Sequence, residues 1–279
     1  DRLGQVTLQL ERGDASGKLV AELEGAGKRY GERWIVRGFS TRIQRGDRIG
    51  IIGPNGAGKT TLLKLILGEL APDDGRVRLG SKLAVAYFDQ FRTQLDPEAT
   101  LADVISPGSD WVEIGGARKH VIGYLEDFLF APERARSPVK SLSGGERNRL
   151  LLARLFSQPA NMLVLDEPTN DLDIDTLELL EALLQEYDGT VLLVSHDRAF
   201  LDNVVTQVFA WEAPPAPQGT WKEYAGGYDD WLRQRPAPQA ASSRGGGADV
   251  VEKSPSKPAT ATPPARPAKL RIKEKRELD

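Results

Sequence analysis

The sequence predicts an α/β fold built on a mostly parallel core sheet. Three observations carry that prediction. The apolar run Ile49-Gly50-Ile51-Ile52 passes through a glycine-rich turn into an apolar-periodic run at 62–67. Two further runs, 162–165 and 191–194, are apolar throughout, as strands covered on both faces should be. Between them residues 177–187 follow a helical period, which completes a strand–helix–strand unit.

The remaining elements follow from local pattern. Residues 18–23 alternate apolar and polar in strand fashion and lead to Tyr30. Residues 35–43 read as a second strand, closed by the turn Gln44-Arg45-Gly46-Asp47. After the first helix the chain breaks at Ala71-Pro72-Asp73-Asp74-Gly75, and short strands follow at 76–79 and 83–87. From 95 to about 140 the pattern turns helical, with Leu101, Val104 and Ile105, then Val121, Ile122, Tyr124, Leu125, Phe128 and Leu129. That stretch is expected to be a helical subdomain inserted in the α/β core. Residues 147–156 form another helix, apolar at Leu150, Leu151, Leu155 and Phe156.

Composition bounds the rest. A chain of 279 residues with 40% hydrophobic residues suits one large domain with appendages, here placed at 18–235 after an extension at 1–17. A formal charge of −3 points to no class of partner. Cysteine is absent, which excludes disulfides and thiolate metal sites and fits a reducing cytoplasm. No apolar run reaches the roughly 18 residues of a membrane span. The start, Asp1-Arg2-Leu3-Gly4, shows neither an initiator Met nor a signal-peptide core, so a piece of a longer protein, or a processed or truncated one, is expected. Residues 236–269 are rich in Pro, Ala, Ser and Gly and are expected to be a disordered linker. The last ten residues, 270–279, regain helical character as the start of a further element.

The chemistry concentrates in a few segments. Gly53-Pro54-Asn55-Gly56-Ala57-Gly58-Lys59-Thr60, followed by Thr61, has the strand–loop–helix setting that cradles phosphates. Its glycines let backbone N–H groups turn inward, and the helix N-terminus adds partial positive charge. Lys59 can reach the outer phosphates, and the Thr60 hydroxyl can ligate Mg²⁺. Asp166 and Glu167 end a buried strand; alone they would suit a solvated strand end, but beside such a loop they suit Mg²⁺ and water chemistry. Ser143-Gly144-Gly145-Glu146 precedes a helix and reads both as a capping box and as a second anion site. His196 follows the strand 191–194, at the sheet edge where ligands gather. His120 carries no assigned role.

Taken in order, Tyr30, residues 53–60, Gln90, residues 142–147, residues 163–167, residues 170–173 and His196 resemble the seven motifs of an ABC-type ATPase domain. The Leu142-Ser143-Gly144-Gly145-Glu146 wording, the run Asp166-Glu167-Pro168-Thr169-Asn170-Asp171-Leu172-Asp173, and Tyr224-Ala225-Gly226-Gly227-Tyr228 with Trp231 resemble the ABC-F class. The wording at 87–90, 123–130 and 146–149 is similar to second ATPase domains of that class, which are followed by a basic linker and a coiled coil.

The resemblance implies a P-loop fold with an N-terminal antiparallel β part and the helical insertion. It implies Tyr30 stacking on adenine, Gln90 and Asp166 around Mg²⁺ carried with ATP, and Glu167 activating water. It further implies His196 on the γ-phosphate, with Ser143, Gly144, Gly145 and Glu146 completing the site of a second ABC domain and Asp173 bridging the two. Only one such loop and one such signature occur here, so the partner domain is the missing first half or a second copy. The expected work is an ATP-driven clamp on ribosomes or RNA in the cytoplasm, without a membrane. A related role on branched DNA comes second, and a transporter subunit last. Arg266, Lys269, Arg271, Lys273, Lys275 and Arg276 crowd the tail, either as phosphate contacts or as a solvated helix face with Glu274 and Glu277.

Overall fold

The computed structural model describes residues 18–88 and 95–235. The expected extension 1–17, linker 236–269 and terminal helix 270–279 lie outside the described residues, as does Gln90.

Two sheets organise the chain. Strands β1 (Leu19–Tyr30), β2 (Arg33–Gln44) and β4 (Asp74–Leu79) form an antiparallel sheet in the order β2-β1-β4. The core sheet has six strands: β3 (Arg48–Ile52), β5 (Val85–Tyr87), β8 (Met162–Asp166), β9 (Thr190–Val194), β10 (Gln207–Trp211) and β11 (Trp221–Ala225). Their order is β11-β10-β3-β9-β8-β5, and only the β10–β11 pair is antiparallel. The mostly parallel sheet expected from the apolar runs is therefore present.

The apolar runs are continuous because both faces of this sheet are covered. Ile49 and Ile51 of β3, Val164 of β8, and Leu192 and Val194 of β9 pack on one side, with Leu62 and Leu65 of helix α1 (Lys59–Ile66). Leu163 and Leu165 of β8 with Val191 and Leu193 of β9 pack on the other. There they meet Leu151, Leu155 and Leu180 from helices α4 (Gly144–Phe156) and α5 (Ile174–Glu186). Successive strand residues point to opposite faces, so a two-faced core needs every position apolar.

The insertion is helical in part. It holds α2 (Leu101–Ile105), capped by the Thr100 hydroxyl accepting from Asp103 N–H at 3.1 Å, and α3 (Val121–Asp127). Between them a hairpin joins β6 (Trp111–Ile114) to β7 (Ala117–His120), which the helical reading did not include. Its turn, Gly115-Gly116, has φ of 59° and 78°; a two-residue hairpin turn with both φ positive favours glycine. His120 caps α3, its Nδ1 accepting from Ile122 N–H at 3.2 Å. Helices α6 (Arg198–Val204) and α7 (Tyr228–Gln234) complete the described chain.

Candidate functional site

The parallel registers set Ile51 beside Val194 and Leu165 beside Leu193, so β3, β8 and β9 end at one edge. At that edge the chain leaves β3 into residues 53–58, leaves β8 at Asp166-Glu167, and leaves β9 at Ser195-His196. Three sequence-distant motifs thus meet without any long connection.

The phosphate-type loop depends on Gly58. This residue is the N-cap of α1 with φ of 100°, and a Cβ there would lie 2.1 Å from Ile35 Cγ2. Any side chain would strain the backbone and collide with β2. No side chain caps α1, so its first N–H groups are left to the loop's concave face.

An open cleft of about 370 Å³ lies over this loop. Tyr30, Asn55, Gly56, Gly58, Lys59, Thr60, Thr61, Asp166 and Glu167 line it, together with Ile35. Ile35 was not singled out in the sequence; an isolated strand isoleucine carries no signal of its own. Gly53, Pro54 and Ala57 belong to the same loop. Tyr30 is more than half exposed at the end of β1, with a ring free for stacking.

The charged groups converge. Lys59 Nζ donates to Gly53 O at 2.9 Å and lies 3.3 Å from His196 Nε2. His196 Nε2 is also 3.3 Å from Asn55 Oδ1 and 3.4 Å from Glu167 Oε1. The His196 backbone N–H faces Glu167 Oε2 at 3.3 Å. Glu167 itself holds a left-handed backbone, φ 47° and ψ 51°, fixed by its N–H donating to Val194 O at 2.8 Å. Such a conformation in a residue other than glycine costs of order 1–3 kcal/mol and clusters at functional positions. Its Oε1 is buried without a hydrogen-bond partner, though near the imidazole. Glu167 lines the cleft as a residue, but this oxygen is covered and faces the imidazole.

Mg²⁺ fits this donor set when it arrives with phosphates. Among the described residues no cluster of three His, Cys, Asp or Glu could hold a metal alone. Thr60 and Asp166 nevertheless line the cleft together, which suits an ion that keeps waters and takes one or two protein oxygens.

The second motif sits apart. Ser143, Gly144, Gly145 and Glu146 do not line the cleft. Ser143 caps α4, accepting from Glu146 N–H at 3.2 Å, while Glu146 Oε2 accepts from Ser143 N–H at 2.9 Å. That reciprocal capping box is the one expected from the sequence. The Ser143 N–H, then the hydroxyl of Ser143 and Arg134, hold the Glu146 carboxyl below the usual range. Arg134 Nη2 donates to it at 3.0 Å. Asp173 caps α5 by accepting from Thr176 N–H at 2.8 Å, and Thr176 chiefly holds its carboxyl low. A Cβ on Gly145 would lie 2.4 Å from Asp173 Oδ2, so this carboxylate packs directly on the start of α4.

A nucleotide-binding cassette is what the sheet, the loop and the converging Lys59, Glu167 and His196 define. The family model described as "ABC transporter" matches residues 36–170. The chain is 54% identical over 228 residues to the ATP-binding protein Uup of Escherichia coli (strain K12), covering 82% of this chain and 35% of that protein. It is 39% identical over 221 residues to the energy-dependent translational throttle protein EttA of Mycobacterium tuberculosis (strain CDC 1551 / Oshkosh), covering 79% and 40%. Among solved structures, CbiO1 from Clostridium perfringens aligns with a TM-score of 0.58 at 20% identity, over 78% of this chain and 92% of that one. That last likeness concerns the fold alone.

The chain belongs to the ABC ATPase family and, within it, to the ABC-F class of the Uup and EttA proteins. It spans less than half the length of either relative named. No helix among the described residues is long and apolar enough to cross a membrane.

Proposed function

We propose that this chain is the ATP-hydrolysing half of a nucleotide-driven clamp that works on the translation machinery. The observation that carries it is the meeting of Lys59, Asn55, Glu167 and His196 within 3.5 Å contacts over the loop that ends β3.

Tyr30 stacks on adenine and gives the base affinity with little edge specificity. The backbone of residues 53–60 wraps the phosphates, with Lys59 exchanging Gly53 O and His196 for phosphate oxygens. Mg²⁺, taken up with ATP beside Thr60 and Asp166, would neutralise charge on the phosphates. Gln90 belongs to the same proposed shell. Glu167, at the cleft wall, takes a proton from the attacking water. His196, held by Asn55 and Glu167, donates to the γ-phosphate.

Ser143, Gly144, Gly145 and Glu146 close the site of a second ABC domain, and Asp173 carries the state of one site to the other. ATP then joins two cassettes, and loss of the γ-phosphate separates them. The translation role draws support from the relative EttA, an energy-dependent translational throttle protein. Work on branched DNA is the competing role for an ATPase of the same class.

Co-sedimentation of the Glu167→Gln protein distinguishes them. Capture by ribosomes that requires ATP is the expected result. Capture by branched DNA and not by ribosomes would overturn the translation role while leaving the ATPase intact.

A further inference from the structure

We infer that the β1–β2 hairpin carries a preorganised arginine cluster that binds the phosphodiester backbone of a nucleic acid, beside the nucleotide cleft and distinct from it. The inference rests on the reading that the clamp's target contains nucleic acid.

The cluster is built on Trp34. Trp34 pairs with Arg29 across the β1–β2 register. Its ring lies against the backbone of Gly27, where a Cβ would sit 2.8 Å from Cζ3. The guanidinium of Arg29 stacks 5.7 Å from the ring centroid and that of Arg37 stacks 6.0 Å from it. Arg33, in the same hairpin, donates from Nη2 to Gly56 O at 3.3 Å. All three arginines are exposed. Among the described residues none of them forms an ion pair with a carboxylate.

The acids nearby do not answer this charge. Asp73, on which the Arg29 charge acts, is paired with Lys28 at 2.8 Å and accepts from Arg29 N–H at 2.9 Å. Glu32, in the hairpin turn, is exposed and opposes three arginines with one charge. Elsewhere on the same sheet the pattern reverses: Arg42 and Arg78 share Glu22 at 4.0 and 3.9 Å. Arg42 and Arg78 thus each have a carboxylate within 4.0 Å, and among the described residues the arginines around Trp34 have none.

Stacking on an indole limits the side-chain freedom of Arg29 and Arg37, and leaves their N–H forks unused. Less ordering entropy is then lost when a phosphate arrives. The bidentate fork suits phosphate oxygens, which any base sequence supplies. The surface therefore fits the repeated charge of a strand rather than one small ligand.

The test uses the whole chain, single-stranded RNA and single-stranded DNA oligonucleotides, and a salt titration of affinity. In Arg29→Gln/Arg37→Gln the slope of log affinity against log salt should become shallower by about 1.4, at roughly 0.7 per phosphate on a single strand. Affinity at low salt should fall roughly tenfold. The Arg42→Gln/Arg78→Gln protein, with the same change in net charge, should keep the parental slope. MgATP affinity measured on the same samples should stay at the parental value in both variants.

An unchanged slope in the first variant would overturn the inference. So would an equal loss in the second, or a parent chain that binds neither polymer. Failure of the parent to bind MgATP would instead sink the nucleotide reading, and the two failures are separately visible. A slope change on RNA alone, on DNA alone, or on both supports the cluster and says which polymer it meets.

Discussion

Two helix N-termini in this molecule face opposite demands. Helix α1 begins at Gly58 with no side-chain cap, and its loop is shaped by glycine geometry and by contact with Ile35. Helix α4 begins at Ser143 with a complete capping box, and Asp173 packs on its first turn. The first end leaves its N–H groups to a ligand from solvent. The second satisfies part of its own demand and supports a neighbouring carboxylate. In the proposed clamp the uncapped α1 end would meet the nucleotide directly, whereas the capped α4 end is already stable without a partner domain. The same chemistry of unpaired N–H groups is therefore tuned two ways by what precedes the helix.

The sharpest break in that comparison is at Glu167. Replacing it with Gln should lower steady-state hydrolysis by roughly 10²-fold or more, the usual contribution of a positioned base, while ATP binding persists. Hydrolysis at the parental rate would move the base elsewhere. Gly58→Ala comes next. The added methyl meets Ile35 at 2.1 Å in a backbone with φ of 100°, so ATP affinity should fall by at least tenfold, a cost of about 1.4 kcal/mol or more. Tyr30→Ala should weaken ATP binding by about 1–3 kcal/mol, whereas Tyr30→Phe should keep the stacking face and the affinity.

The α4 end should respond in stability rather than in nucleotide affinity. Ser143→Ala should cost about 1 kcal/mol. Thermal melting would register it as a drop of roughly 2–4 °C for a domain of this size. Its ATP affinity should equal the parent's, because Ser143 does not line this chain's cleft. Acid sharpens the same contrast. The folded Glu146 carboxyl titrates below its unfolded value, so its contribution is whole above the ordinary glutamate range. It fades as pH falls through the lowered value, and Glu146→Gln should remove that part of the acid dependence.

What could be read from the chain follows from range. The loop 53–60 is contiguous, and glycines spaced around a lysine declare a phosphate cradle without any tertiary knowledge. The strands 162–165 and 191–194 are apolar throughout because two layers cover them, and that pattern survives in one dimension. The capping box is equally local, four residues from Ser143 to Glu146. The hairpin at Trp111 to His120 shows the opposite case. Its alternation and its Gly115-Gly116 turn were present, but the helical period on either side dominated the window.

Other features had no linear signal. Ile35 lines the cleft only because β2 crosses over Gly58. The left-handed backbone of Glu167 depends on Val194 O, a partner on the neighbouring strand. The stacking of Arg29 and Arg37 on Trp34 needed the β1–β2 register, with its bulges, to bring them together.

Equilibrium binding of MgATP to the chain and to its Lys59→Ala variant tests the central claim most directly. The account predicts saturable binding by the parent and a loss of at least roughly tenfold in the variant, as expected when one charge-assisted phosphate contact disappears. Both proteins should melt alike, since Lys59 lies at the cleft and outside the buried core. Equal affinity in the two proteins would contradict it.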